Sequence, residues 1–122
     1  MDVAASETRR LSASLFGNEK VVEVVLALHA VSAPATAQEM SRATGISHSM
    51  VRDVLLRLVT SNLATTLPKV GGSRASQYYE ATSGPGWERL VALAAWVAGE
   101  ARRLATRADA GSVGVRRRPS SA

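Results

Sequence analysis

Between Thr36 and Ser61 two helical stretches are separated only by Gly45-Ile46-Ser47, and this tight turn limits the fold more than any other feature of the chain. Thr36-Ala37-Gln38-Glu39 reads as a capping box, in which the Thr36 hydroxyl serves the Glu39 amide and the Glu39 carboxylate reaches back to Thr36. The helix it opens runs through Ala43 and stops at Gly45, a residue that accepts a left-handed backbone at a helix end. Ser47 is placed to cap the next helix, 47–61. Its apolar residues Val51, Val54, Leu55 and Leu58 recur at intervals of three and four, the period of a helix with one buried face.

Upstream, residues 6–16 read as a short helix with Ser6 as N-cap and Leu11, Leu15 and Phe16 as an apolar edge, closed by Gly17. Asn18 is placed to cap the helix that follows, with Glu19 in its first turn. The run 21–31 holds five valines, which favour a strand. Its length after a good cap favours a helix: Val21, Val24, Leu28 and Val31 make one stripe, and Val22, Val25, Leu26 and His29 a neighbouring one. A helix apolar on two faces belongs at the centre of a small domain. His29, set among apolar neighbours, reads as a core histidine rather than a ligand.

After Ser61 the period changes from helical to extended. Residues 63–68 and 76–82 read as two strands around Lys69-Val70-Gly71-Gly72-Ser73-Arg74-Ala75, a glycine turn flanked by basic residues, so that 64–82 forms a hairpin. Ser83-Gly84-Pro85-Gly86 breaks the chain, and Pro85 suits the first turn of a last helix over 87–107. That helix carries an apolar stripe of Trp87, Leu90, Val91, Ala94, Val97, Ala98, Ala101, Leu104 and Ala105. Residues 108–122 hold Gly, Ser, Pro and three consecutive arginines with little apolar content, which predicts no regular structure. The expected division is 1–82, a helical unit with the hairpin; 83–108, the long helix; and 109–122, a disordered basic tail. The fold class is mainly α with a small β-hairpin (α+β).

The 122 residues suffice for one core, which must be aliphatic because aromatics make up only 4%. No apolar run reaches the roughly 18 residues of a membrane span. The opening Met-Asp-Val-Ala-Ala-Ser-Glu has neither the basic start nor the apolar centre of a secretion signal, and cysteine is absent. These features predict a soluble cytoplasmic protein without disulfides. Two histidines in separate roles and no thiolate predict no metal and no cofactor. Net charge is +5, but residues 1–100 balance nine Lys/Arg against nine Asp/Glu, while 101–122 carry six Arg and one Asp. The more telling asymmetry lies between Ser41 and Tyr79, where Arg42, Arg52, Arg57, Lys69 and Arg74 face a single acid, Asp53. A basic centre in a neutral body suits a nucleic-acid surface.

The segment 36–63 resembles the helix-turn-helix of winged-helix repressors of the MarR-like and ArsR-like families. The resemblance is carried by Thr36-Ala37-Gln38-Glu39-Met40, by Gly45-Ile46-Ser47, and by Val51, Leu55, Leu58 and Leu63. It covers about residues 15–82, with Lys69 and Arg74 around Gly71-Gly72 as the wing tip, and the long last helix resembles these families' dimerisation element. It implies a homodimeric regulator of transcription that binds double-stranded DNA on the bacterial nucleoid. Helix 47–61 would lie in the major groove, with His48, Ser49, Arg52, Asp53 and Arg57 facing away from the core stripe. Arg52 can pair with guanine through two hydrogen bonds, and His48 or Ser49 can meet neighbouring base edges. Arg57 lies further along, towards phosphate. Asp53 either accepts from cytosine or holds Arg52 or Arg57 in place. Thr36 and the amide at its helix start can contact phosphate, and Lys69 and Arg74 the backbone or minor groove.

Alone, Arg52, Asp53 and Arg57 would be an ordinary solvated helix face with an i,i+4 ion pair. Their place after Gly45-Ile46-Ser47 favours DNA contact, while His48 is left open between base contact and plain surface. Trp96 falls nearly opposite the apolar stripe of the last helix. A stripe with Leu93 and Trp96 in addition exceeds what one small domain needs, so Leu90, Leu93, Ala94, Trp96, Val97 and Leu104 are expected to pack across a two-fold axis. A ligand site between the last helix and the core is left open, and no residue names an effector. The competing reading is a winged-helix module for protein interaction or for weakly specific, architectural DNA binding. An enzyme is not expected, since no nucleophile–base pair, phosphate loop or ligand cluster is present.

Overall fold

The valine-rich run is a helix, and burial decides it. The computed structural model describes residues 3–31, 33–67 and 77–121, with side chains through Arg107. Their order is α1 (Val3–Phe16), α2 (Val21–Ala30), β1 (Ala35–Thr36), α3 (Ala37–Thr44), α4 (His48–Thr60), β2 (Ala64–Thr66), β3 (Tyr78–Ala81) and α5 (Pro85–Ser121). The buried positions of α2 are Val21, Val22, Val24, Val25 and Leu28, a helical pattern rather than a strand's alternation. Valine loses at most about 0.7 kcal/mol in helix propensity, whereas fully burying each side chain is worth about 1.5–3 kcal/mol. Packing therefore overrides the local preference. The last turn of α2 emerges beyond its neighbours, leaving His29, Ala30 and Val31 exposed, so His29 is a surface residue and not the expected core histidine.

α1 begins at Val3, earlier than the expected cap at Ser6, which lies inside the helix. Of its apolar edge, Leu11 and Phe16 pack against the core, but Leu15 is exposed. The residues α1 buries are Thr8 and Ser12. Gly17, at φ 70°, closes the helix as expected. Asn18 does not cap α2; its Oδ1 accepts the Lys20 N–H at 2.8 Å. The cap comes from further away, because the wholly buried Ser12 hydroxyl donates to the Asn18 carbonyl (2.7 Å) and accepts the Val22 N–H (3.2 Å). One unpaired donor of the α2 N-terminus is thus satisfied by the preceding helix. Arg9 and Glu23, 2.8 Å apart, join α1 to α2, and this hydrogen bond raises the Arg9 pKa above its ordinary value.

Both halves of the capping box form: Glu39 N–H to Thr36 Oγ1 at 3.1 Å and Thr36 N–H to Glu39 Oε1 at 3.0 Å. Thr36→Ala is expected to lower the unfolding free energy by about 1 kcal/mol, measured by urea denaturation; no change would mean the box adds nothing to what packing already holds. Gly45 adopts φ 74° and its N–H closes on the Ser41 carbonyl at 2.9 Å. Ile46 then dips into the core, so that the turn between α3 and α4 is pinned from inside. Ser47 occupies the N-cap position of α4, but its side chain makes no capping bond. α4 ends in a Schellman arrangement on Asn62, at φ 61°, with Leu63 N–H to Leu58 O at 2.8 Å and Asn62 N–H to Val59 O at 3.0 Å.

The two expected strands form, and a third joins them. The antiparallel sheet has the order β1-β3-β2, with Ala35 opposite Tyr79 and Thr66 opposite the same tyrosine on the other side. β1 has only two residues, too few to show a period, and Thr36 serves at once as its end and as the α3 cap. α5 starts at Pro85 and buries Trp87, Ala94, Val97, Ala101 and Ala105 against the rest of the chain, lying along α1 and across α2. It continues to Ser121, through residues whose composition predicted no regular structure. Once nucleated, a helix adds a hydrogen bond for each residue it orders, so few apolar side chains do not by themselves end it. The inner stripe corrects two expected dimerisation residues. Ala94 and Val97 are wholly buried within one chain and cannot also face a partner; Leu90 and Leu104 are half-buried, and only Leu93 and Trp96 are exposed.

Candidate nucleic-acid interface

α4 is seated by four buried side chains, Val51, Val54, Leu55 and Leu58, which turn the opposite face outward. His48, Ser49, Arg52, Asp53 and Arg57 all lie on that outward side and are exposed, as their spacing predicted. The structure divides them. His48 and Arg52 border a notch of about 230 Å³ whose other walls are Thr36, Ala37 and Gln38 at the start of α3, Gln77 just before β3, and Tyr79 in that central strand. Asp53 and Arg57 border a separate cleft of about 480 Å³, formed by α4 with Phe16, Val21, Leu63 and Leu90. Ser49 borders neither.

The notch has one cation without an acceptor. Among the described residues Arg52 makes no hydrogen bond or ion pair, so its planar guanidinium fork is available to an incoming group. Arg57 differs: its Nε donates to Asp53 Oδ2 at 3.2 Å, and the same oxygen accepts from Asn18 Nδ2 at 3.4 Å. The Asp53 carboxylate is therefore turned toward Arg57 and the α1–α2 turn, and of the two roles expected for it the structure shows the one that holds Arg57.

Thr36 needs correction as an exposed phosphate contact. It is buried and its amide is held by Glu39, while its hydroxyl oxygen accepts the Glu39 N–H and keeps its own proton. The exposed uncharged polar residue at the α3 start is Gln38, beside the exposed acid Glu39; sequence reasoning passed over it although it lies two positions beyond the cap. Gln77 was also missed; its Nε2 donates to the Leu67 carbonyl at 2.7 Å and ties the hairpin base together. Lys69 and Arg74, the expected wing-tip cations, lie outside the described residues. No described helix is long and apolar enough to cross a membrane. Among the described residues no group of three His, Asp or Glu could hold a metal ion.

No family model and no curated protein matches the sequence. Solved structures do match. Wild-type apo MarR from E. coli superposes with a TM-score of 0.63 at 14% identity, covering 92% of this chain and 84% of that one. The transcriptional regulator PA3341 gives 0.62 at 20% identity over 93% and 85%. A cysteine-to-serine mutant of E. coli MarR gives 0.62 at 14% identity over 98% and 91%. At these identities the likeness concerns the fold: the chain has the winged-helix architecture of MarR along nearly its whole length. The ArsR-like half of the expected resemblance draws no support from these three structures.

Proposed function

We propose that the chain is a transcriptional regulator that binds double-stranded DNA sequence-specifically as a homodimer in the bacterial cytoplasm, with α4 in the major groove and the 64–82 hairpin as wing. The observation that carries this reading is Arg52, unpaired among the described residues, beside His48 toward the N-terminal end of a helix whose opposite face buries Val51, Val54, Leu55 and Leu58. A fork of donors on a rigid helix is the group that reads guanine edges. His48 and Ser49 take neighbouring edges, Gln38 and Arg57 contact phosphate, and Lys69 and Arg74 reach the backbone or minor groove. The solved structures of like fold include a transcriptional regulator, which supports the same reading. The cleft beneath α4 is where a small-molecule effector would sit.

The test is fluorescence anisotropy with the chain's own upstream DNA and a scrambled duplex across a salt series. A preference that persists at physiological salt supports the reading. Equal affinities that collapse together as salt rises, with no sequence recovered from a random duplex library, refute it, because phosphate contacts alone behave that way.

The homodimer rests on α5. On the side of α5 away from the core, Leu93 and Trp96 form an exposed apolar patch, with Arg89, Glu100, Arg103 and Arg107 before and after it at intervals of four and three. Leu93 is 40% and Trp96 59% exposed. Further along, the Arg103 hydrogen bond holds the Glu100 carboxyl below its ordinary range. Leu93→Glu combined with Trp96→Glu is expected to convert a dimer to a monomer by light scattering at micromolar concentration. The helical circular dichroism should be unchanged, since neither side chain is in the core. A wild-type chain that is already monomeric there overturns the dimer.

A further inference from the structure

We infer that Asp53 and Asn18 form a positioning link that sets α4 against the α1–α2 turn and aims Arg57, so that the acid on the recognition face serves DNA binding without touching a base. The inference rests on the regulator reading and deepens it.

The link can be followed atom by atom. Ser12, wholly buried in α1, donates to the Asn18 carbonyl and accepts the Val22 N–H, which fixes the turn to both flanking helices. The Asn18 side chain is then oriented by its own backbone, because Oδ1 is occupied by the Lys20 N–H at 2.8 Å. Only the NH₂ end remains to face outward, and it meets Asp53 Oδ2 at 3.4 Å. The same oxygen receives Arg57 Nε at 3.2 Å. One carboxylate oxygen thus joins α4 to the turn that leads from the α1–α5 pair into α2. Each contact is between well-solvated groups and adds little stability by itself; what it supplies is register, since Arg57 is held through its Nε while no hydrogen bond engages its Nη groups among the described residues.

An acid on a DNA-facing helix makes a prediction of opposite sign under electrostatics alone. Removing a negative charge near phosphates should tighten binding to every duplex. If Asp53 positions the helix, Asp53→Ala instead weakens binding to the preferred duplex by about 3–10-fold relative to a scrambled one. Asn18→Ala does the same, and the double variant is no worse than the weaker single, as for two members of one link. Asp53→Asn, which keeps an acceptor oxygen in place, stays within about twofold of wild type. In the free protein the Asn18 side-chain amide resonance moves on Asp53→Ala.

Tighter binding by Asp53→Ala, or an Asn18 amide resonance indifferent to it, overturns the link. So does a changed preference at a single base step, which would make Asp53 a direct reader. A wild-type chain that discriminates while all variants match it overturns the link alone. A wild-type chain that prefers no duplex overturns the regulator reading as well.

Discussion

Leu55→Ala is expected to lower the unfolding free energy by about 2–5 kcal/mol, the largest effect of any single truncation on α4. Leu55 is wholly buried, in one cluster with Val22, Val24 and Val25 of α2, Met40 of α3 and Ala94 and Val97 of α5. The loss has two parts, the transfer free energy of the deleted methyl groups and the cavity left among helices too well tethered to close over it. Two turns and a capping box hold those helices, so collapse into the gap would strain backbone that is already fixed. A domain of this size holds only about 5–15 kcal/mol in total, and the variant should unfold at markedly lower urea with an unchanged slope. A loss below about 1 kcal/mol would show that α4 is not seated as described. The consequence is that the outward face of α4 cannot be loosened from beneath without a large loss of stability.

Arg52→Ala is expected to cost about 1–3 kcal/mol of binding to the preferred duplex and to relax the preference at one base step. Stability should hardly change, because the side chain is exposed and pairs with nothing among the described residues. The position of the loss separates the alternatives. Two donors on one guanine give a local loss of preference, whereas a phosphate contact weakens all sequences alike and lowers the salt slope by about one. Uniform weakening would move base reading to His48 and Ser49. Arg57→Ala makes a useful contrast, since its guanidinium is shared with Asp53 and its distance along the helix from the N-terminal end suits phosphate.

Much of this architecture is legible because its signals act over four residues or fewer. Gly17 and Gly45 end helices where a left-handed residue is required, Thr36 and Glu39 close a capping box, and Pro85 opens α5. The outward face of α4 is legible for a related reason: with Val51, Val54, Leu55 and Leu58 buried, the helical repeat leaves His48, Ser49, Arg52, Asp53 and Arg57 outside wherever the neighbours lie. β1 escaped because two residues hold no period. Asn18 was misread as a cap because the hydroxyl that performs the task comes from Ser12, on the previous helix.

The chain order, the helix ends and the period of each face were therefore settled locally, by hydrogen bonds and rotations that a short stretch of residues imposes on itself. Which of two apolar stripes on α5 turns inward was settled only by the fold. Ala94 and Val97 face the rest of the chain, while Leu93 and the larger Trp96 remain outside. The emergence of His29 and the burial of Thr36 belong to the same class, as does the turning of Asp53 toward Asn18. Each depends on where a distant element comes to rest. Hydrophobic burial is proportional to area and blind to direction, so it names the residues that can be enclosed and leaves the choice among them to the packing of the whole.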